Sequence, residues 1–398
     1  MTNRQIFLFG LVLSVFVALF TGGRFIYFIA VAMLVVFVSS YVMVVWNSKN
    51  MYLFFNISEE VLTVGDKLWI EYKLSNMSVL PVSYALMTFV VSKRLGEMGF
   101  PSETAFYGPY QMITIRKNVT CQNRGYYTLG KLVVDIQDPL GLFSRRVVFD
   151  RAIDLTVYPR VHAIQSFDLP AKEFFGKVTV PMQTHEDFTS MKSIREYRIG
   201  DSMKKIHWKL SSKLDHPLVK EYDLSADTKV YMLVDGYKET IRPEELDTQD
   251  GLVEIAISLI HYFLEYNISV SLVCNTLKRL SIQGKDMARF GLFLEELTGY
   301  VPTGEQTFVQ FLKAETNKLY YGSTIIAVTD KLTDDLLYTV LGLREKRFDI
   351  VLIFYGEDSR LHSDELDLLN HQGISTYSLS SRSDISKTLE VSYDKKAL

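Results

Sequence analysis

The sequence contains little cysteine, and charge is missing from its first segment. Only Cys121 and Cys274 occur among the 398 residues, far apart in the chain, so no disulfide framework is implied. The formal net charge of −3 gives no general basicity, so a nucleic-acid partner is not expected. The first 48 residues contain no Asp or Glu and only two charged side chains, Arg4 and Arg24. This segment is therefore an apolar region distinct from the rest of the chain.

Two apolar runs fill this region, residues 5–23 and 25–46, with a short turn between them. About 19 helical residues span roughly 28 Å, close to the ~30 Å hydrocarbon core of a bilayer. We predict a transmembrane helical hairpin in residues 1–48. A cleaved signal peptide and an interfacial arrangement are the alternatives, although no small-x-small cleavage site follows the first run. Lysine and arginine near the spans favour a cytoplasmic body, and hence a multi-pass cell-membrane protein.

Alternating apolar and polar residues dominate the region 49–160. The alternation in residues 68–74, 84–91 and 112–121 is typical of half-buried strands, and turn residues separate these runs. Short strands at this spacing predict a β-sandwich-like domain.

Strand and helix patterns alternate in the region 225–398, which predicts an α/β domain of Rossmann type with a parallel sheet. Asp235 and Asp330 each follow a predicted strand directly, where ligands of such sheets bind. Together with Glu239 they offer oxygen ligands for a hard cation. The alternative is that Asp235 caps the following turn or helix.

Residues 161–224 form a linker with an unusual basic stretch. Residues 192–220 contain eight basic and three acidic side chains. Asp201 is a fair N-cap for a helix predicted from Ser202 to Lys213, which would align Lys205, Lys209 and Lys213. This stripe is either a solvated face or a docking face for an acidic partner or anionic lipid. His207 and Asp201 would lie on different helix faces, which argues against acid–base catalysis.

The linker resembles the signature of a bacterial family called domain of unknown function 58. The matching residues are Arg195, Tyr197, Gly200, Asp201, Ile206, His207, Trp208 and Ser211. Lysines at 204, 205 and 213 replace the usual arginines, which keeps charge but loses bidentate geometry. Upstream, residues 124–130, 138–143 and 157–160 also resemble this family, so the resemblance extends over most of the chain.

The resemblance implies a membrane anchor, a β-rich middle and a von Willebrand factor A-like α/β domain. It also implies an adaptor that works with a MoxR-type AAA+ ATPase, and sometimes with a transglutaminase-like membrane protein. Domains of this type bind a divalent cation such as Mg²⁺ through Asp-x-Ser-x-Ser, a Thr and a second Asp. Asp235 and Asp330 match the two aspartates, Tyr237 and Glu239 replace the serines, and Thr303 or Thr307 is a loose match for the threonine.

These observations lead to a membrane-anchored adaptor in a cell-envelope or complex-assembly role. In this interpretation Tyr197 and Trp208 are packing anchors, and Arg195, Arg198, Lys204 and Lys205 make charged contacts. One alternative is a metal-dependent hydrolase that uses Asp235, Glu239 and Asp330. Another is a membrane protein that binds anionic lipid.

Overall fold

The computed structural model describes most of the chain, which divides into two compact units. The described residues are 3–96, 100–169, 191–196, 207–214, 216–222, 229–237, 245–319, 323–356, 363–381 and 383–390. The first unit contains Met1–Arg160 and Leu294–Tyr300, and the second contains Val161–Phe293 and Val301–Leu398.

Two long helices, α1 (Asn3–Thr21) and α2 (Arg24–Lys49), begin the first unit. Most of their large apolar side chains are exposed, so neither is the core helix of a water-soluble domain. The rings of Phe7 and Phe37 stack between them, with centroids 6.1 Å apart. Both helices are long and apolar enough to cross a membrane, which agrees with the predicted hairpin.

Among the described residues, eight strands form two sheets in the remainder of this unit. The strands are β1 (Met51–Ile57), β2 (Val61–Thr63), β3 (Lys67–Asn76), β4 (Val82–Val90), β5 (Glu103–Tyr107), β6 (Met112–Thr120), β7 (Gly125–Gln137) and β8 (Ser144–Tyr158). One sheet has the order β1-β3-β6 and the other β2-β8-β7-β4-β5. All pairs are antiparallel except β2 with β8.

A single hydrophobic cluster takes side chains from both sheets. Tyr72 and Leu74 on β3, together with Leu132 and Val134 on β7, are fully buried in it. Residues two apart on a strand point to the same face, so the alternation in the sequence becomes one buried face. The predicted sandwich-like arrangement of the sheets stays a prediction.

The signature segment contains a two-stranded ribbon and a short helix in the second unit. Strands β9 (Met191–Glu196) and β10 (Leu218–Tyr222) pair antiparallel, and α3 (Trp208–Leu214) precedes β10. Residues 202–206 of the helix predicted from Ser202 to Lys213 lie outside the described residues. His207 itself is not helical, and α3 begins at Trp208, the residue that follows it.

The α/β region follows from residue 229. Its elements are β11 (Lys229–Val234), α4 (Glu245–Glu265), β12 (Ser269–Cys274), β13 (Leu280–Gly284), α5 (Phe290–Thr298), α6 (Phe308–Thr316), β14 (Thr324–Thr329), α7 (Asp334–Glu345), β15 (Asp349–Tyr355), α8 (Ser363–His371), β16 (Ser375–Leu379) and α9 (Ile385–Glu390).

The sheet of this region has the order β13-β12-β11-β14-β15-β16. Strand β13 pairs antiparallel with β12, and the other neighbours are parallel. The sheet is therefore mixed, and the prediction of a purely parallel sheet is wrong at this edge. The reason is the short connection from β12 to β13, which permits an antiparallel return but not a parallel crossover. The strand order changes direction between β11 and β14, where sheets of this class form a ligand crevice.

Candidate functional site

Asp235 lies at the carboxyl end of β11, next to the point between β11 and β14 where the strand order changes direction. Its side chain is only 4% exposed. Oδ1 accepts a hydrogen bond from the main-chain N–H of Tyr237 at 3.0 Å, and Oδ2 accepts one from Thr329 Oγ1 at 2.8 Å. The first bond is a local turn of the kind aspartate commonly forms. The second ties the ends of β11 and β14 together.

Asp330 follows β14 directly and shares the same edge of the sheet. Gln249 on α4 is buried, and its Nε2 lies 3.4 Å from Asp330 Oδ2. Thr329 and Gln249 were not identified from the sequence. The available signal for Thr329 is its position as the last, polar residue of an otherwise apolar strand, next to Asp330.

Burial is the main cause of a raised pKa at Asp235. Loss of water around the carboxylate, together with the negative charge of Asp330, outweighs the hydrogen bonds from Tyr237 and Thr329 and the charge of Lys331. The pKa of Asp235 rises from 3.8 to about 6. The site is therefore acidic but poorly hydrated, and a bound cation or a donor from a partner would stabilise the carboxylate.

The oxygen donors at this edge match a hard cation only in part. Asp235 and Asp330 supply carboxylates and Thr329 supplies a hydroxyl, whereas Mg²⁺ requires near-octahedral coordination. Glu239 lies outside the described residues. The part of the chain that the structure describes contains no group of three or more His, Cys, Asp or Glu side chains suited to a metal. Metal binding, and the hydrolase that depends on it, stay predictions.

The two threonines considered as metal ligands already have structural partners. Thr303 Oγ1 accepts a hydrogen bond from the main-chain N–H of Leu277 at 3.2 Å. Thr307 is the N-cap of α6 and forms a reciprocal capping box with Gln310. These contacts explain both residues without a metal.

The signature segment is a second candidate site, in addition to the one at Asp235. The ring Nδ1 of His207 accepts a hydrogen bond from the main-chain N–H of Leu210 at 3.2 Å, so His207 caps α3. Ser211 Oγ donates to the carbonyl of His207 at 3.1 Å and accepts from the N–H of Leu218 at 2.9 Å. The N–H of His207 donates to the carbonyl of Leu218 at 2.8 Å. His207 and Ser211 therefore fasten α3 to the start of β10.

Trp208 begins α3 and is 66% exposed. Its predicted role as a packing anchor of the motif stays a prediction. Arg195, Lys209 and Lys213 lie in described elements. The other signature residues lie outside the described residues: Tyr197, Arg198, Gly200, Asp201, Lys204, Lys205 and Ile206.

The described residues define an α/β unit and a β-rich unit that begins with two apolar helices. The family described as "Protein of unknown function DUF58" matches residues 193–361. The match confirms that the signature segment resembles this family. The matched residues are less than half of the chain.

One similar protein is "Uncharacterized protein YeaD" of Bacillus subtilis (strain 168), which is 21% identical over 253 residues. The aligned region is 62% of this chain and 62% of that protein. The chain thus spans less than two thirds of the length of this relative.

Solved structures with similarity include the SpRpn10 VWA domain, with a TM-score of 0.30 and 14% identity over 40% of this chain and 93% of that one. Another is an aerotolerance-related membrane protein from Bacteroides fragilis, with a TM-score of 0.23 and 12% identity. That similarity covers 32% of this chain and 67% of the other.

Proposed function

We propose that this protein is a membrane-anchored binding protein with a von Willebrand factor A-like unit that docks a protein partner. In this proposal α1 and α2 hold the chain in the cell membrane with the body in the cytoplasm. The β-rich region is a sandwich-like spacer. The partner is a MoxR-type AAA+ ATPase, with a transglutaminase-like membrane protein as a further component.

The observation that carries the docking role is the exposure of Trp208 on a helix fastened by His207 and Ser211. A helix fastened in this way fixes the position of the Trp208 backbone, and tryptophan is enriched among the residues that dominate interface energies. The surrounding residues of the signature are basic, which suits an acidic surface on the partner. We therefore assign the contact with the partner to Trp208 and the basic residues around it.

A crosslinked pull-down of the full-length protein from native membranes tests this role. Trp208→Ala should reduce recovery of the ATPase about thirtyfold, which corresponds to about 2 kcal/mol, a typical loss at a dominant interface residue. Tyr338→Ala is the matched control, because Tyr338 is an aromatic residue on α7 that is 75% exposed. Equal recovery with both variants would contradict docking through Trp208.

The charged part of the proposal has its own test. Replacing Lys204 and Lys205 by Glu should abolish ATPase recovery and leave the thermal unfolding of the protein unchanged, because like charges would face the acidic partner. Unchanged recovery would show that these lysines form a solvated face. Binding of the wild-type protein to anionic vesicles without any ATPase would instead favour the lipid-binding alternative.

A further inference from the structure

The loop between β7 and β8, residues 138–143, has a rigid and unusual shape. Asp138 is buried, and its carboxylate accepts hydrogen bonds from the main-chain N–H groups of Leu140 at 3.1 Å and Phe143 at 2.7 Å. Gly141 adopts a φ of 66°, which favours glycine. The loop is therefore held in one conformation by a buried carboxylate and a glycine turn.

The tip of this loop packs against the two apolar helices of the same unit. The ring of Phe143 lies 4.9 Å from that of Phe37 and 5.4 Å from that of Tyr41, centroid to centroid. The guanidinium of Arg4 lies 5.2 Å from the centroid of the Phe143 ring. A cation over an aromatic face is attracted by the ring quadrupole. Phe143 thus fills the space between the start of α1 and the middle of α2.

Arg4 and Tyr41 mark one level along the helical hairpin. Arg4 lies about one turn before Phe7, Tyr41 lies about one turn after Phe37, and Phe7 stacks on Phe37. Arginine and tyrosine are residues that prefer the boundary between hydrocarbon and headgroups. The helix residues between this level and the turn of the hairpin, 5–21 and 25–41, are each about 26 Å long, close to the apolar thickness of a bilayer.

Beyond this level one face of α2 is covered by protein, whereas Val42 and Trp46 are 49% and 54% exposed. Val44 and Asn47 are buried, and Asn47 Nδ2 donates to the carbonyl of Pro81 at 2.8 Å. One face of the last two turns of α2 therefore packs against the β-rich region. We place the apolar boundary of the membrane between the level at which the loop packs and Trp46, because tryptophan is enriched at membrane interfaces.

Leu140 is the residue of the loop that this packing leaves outside. It is 48% exposed, whereas its neighbour Leu142 is buried. Asn3, the first residue of α1, places its Nδ2 3.5 Å from the carbonyl of Leu140. An exposed leucine at the end of a rigid loop, beside the start of a membrane helix, is at the depth of the lipid headgroups.

We propose that the 138–143 loop is a membrane-interface contact, in which Leu140 inserts into the bilayer surface while Phe143 binds the helical hairpin. The inference rests on the membrane anchoring proposed above. The occupant of the surface around Leu140 is the lipid that surrounds α1 and α2, because Leu140 lies beside Asn3 at the start of α1 and Phe143 of the same loop packs on α2. The loop would hold the β-rich unit against the membrane.

Depth-dependent fluorescence quenching tests this contact in the full-length protein reconstituted into phosphatidylcholine nanodiscs. Leu140→Cys is labelled with bimane, and the lipid chains are brominated either near the headgroup or near the methyl end. The native cysteines are both buried and do not compete for the label in the folded protein. We expect clear quenching at position 140 that is stronger with the shallow bromines.

Two further variants make the outcome decisive. Val12→Cys lies within α1 and is 66% exposed, so it should be quenched more by the deep bromines if α1 crosses the membrane. Val61→Cys is 54% exposed and pairs with Thr156, about 40 Å along β8 from the loop, so it should not be quenched.

Quenching at the three positions distinguishes failure of the loop contact from failure of the membrane anchor. Quenching at 12 without quenching at 140 would overturn the loop contact and leave the membrane anchor intact. Absence of quenching at 12 would overturn the anchor and the loop contact together. Equal quenching at 61 and 140 would mean that the label senses lipid non-specifically, which would also overturn the assignment.

Discussion

Replacing Asp235 by asparagine should stabilise the second unit at neutral and alkaline pH. The buried carboxylate of Asp235 is held by the N–H of Tyr237 and the hydroxyl of Thr329. Asparagine keeps an oxygen for Tyr237 and places its NH₂ group towards Thr329. The hydroxyl of Thr329 can accept this hydrogen bond and donate to the carbonyl of Lys331, which lies 3.2 Å away. The variant therefore removes a buried charge without leaving an obvious unpaired group.

The size and sign of the effect follow from the raised pKa. The rise from 3.8 to about 6 corresponds to about 3 kcal/mol, because each tenfold change in an ionisation constant is about 1.4 kcal/mol. A carboxyl whose pKa is raised by folding destabilises the protein once it must be ionised. The penalty is absent well below pH 3.8, develops between that pH and about 6, and is complete above it. Asp235→Asn should thus gain about 3 kcal/mol at pH 8 and only about 0.5 kcal/mol at pH 4.

Cys274 offers a local assay for this unit. It is fully buried, is the last residue of β12, and pairs with Val234 in the sheet. Urea unfolding of the detergent-solubilised protein can be followed by pulse labelling of this thiol with dithiodipyridine, which also reacts at acid pH. Mass spectrometry of peptides separates labelling at Cys274 from labelling at Cys121 in the first unit. The measured quantity is the free energy of unfolding of the wild-type protein and of Asp235→Asn at the two pH values.

Asp286→Asn is the control for this measurement. Asp286 is exposed in the same unit, and its side chain makes no capping bond to the following turn of 3-10 helix. It should leave the unfolding free energy unchanged at both pH values. A stabilisation by Asp235→Asn that is the same at pH 4 and pH 8, or a loss of stability at pH 8, would refute the argument from the buried charge.

The buried cysteines also report on three other predictions. Ser211→Ala removes the hydroxyl that joins α3 to β10 and should cost about 1–3 kcal/mol in the second unit, whereas Ser281→Ala, at an exposed position of β13, should not; equal losses would contradict the proposed fastening. If Mg²⁺ binds at the strand ends, the wild-type protein should gain about 2.7 kcal/mol at 100 times the dissociation constant, and Asp330→Asn should lose this gain; no gain at millimolar Mg²⁺ would remove the metal site. Asp138→Ala leaves two main-chain N–H groups without their acceptor and should cost about 1–3 kcal/mol, read by labelling of Cys121; an unchanged value would show that the loop does not need this carboxylate.

Some features of the chain could be predicted because they depend on local periodicity. The apolar runs correspond to α1 and α2, the alternation in residues 68–74 falls within β3, and the apolar run after residue 323 corresponds to β14. Side-chain direction repeats every two residues in a strand and every 3.6 in a helix, so such patterns are visible without any tertiary contact. The start of α3 was not predictable in this way. Asp201 is a better cap by residue type than His207, but His207 also pairs its main chain with Leu218, a contact that needs β10 in place.

The sequence by itself determined the two apolar helices, the alternation of strands and helices in the α/β region apart from β13, and the positions of Asp235 and Asp330 at the ends of two strands. Each follows from composition or from a short-range pattern. Only the tertiary structure decided that Thr329 binds Asp235, that Trp208 is exposed, and that Phe143 lies between Arg4 and Tyr41. These contacts join residues tens of positions apart or more. Which side chains meet there depends on strand pairing and helix packing, and no local pattern records it.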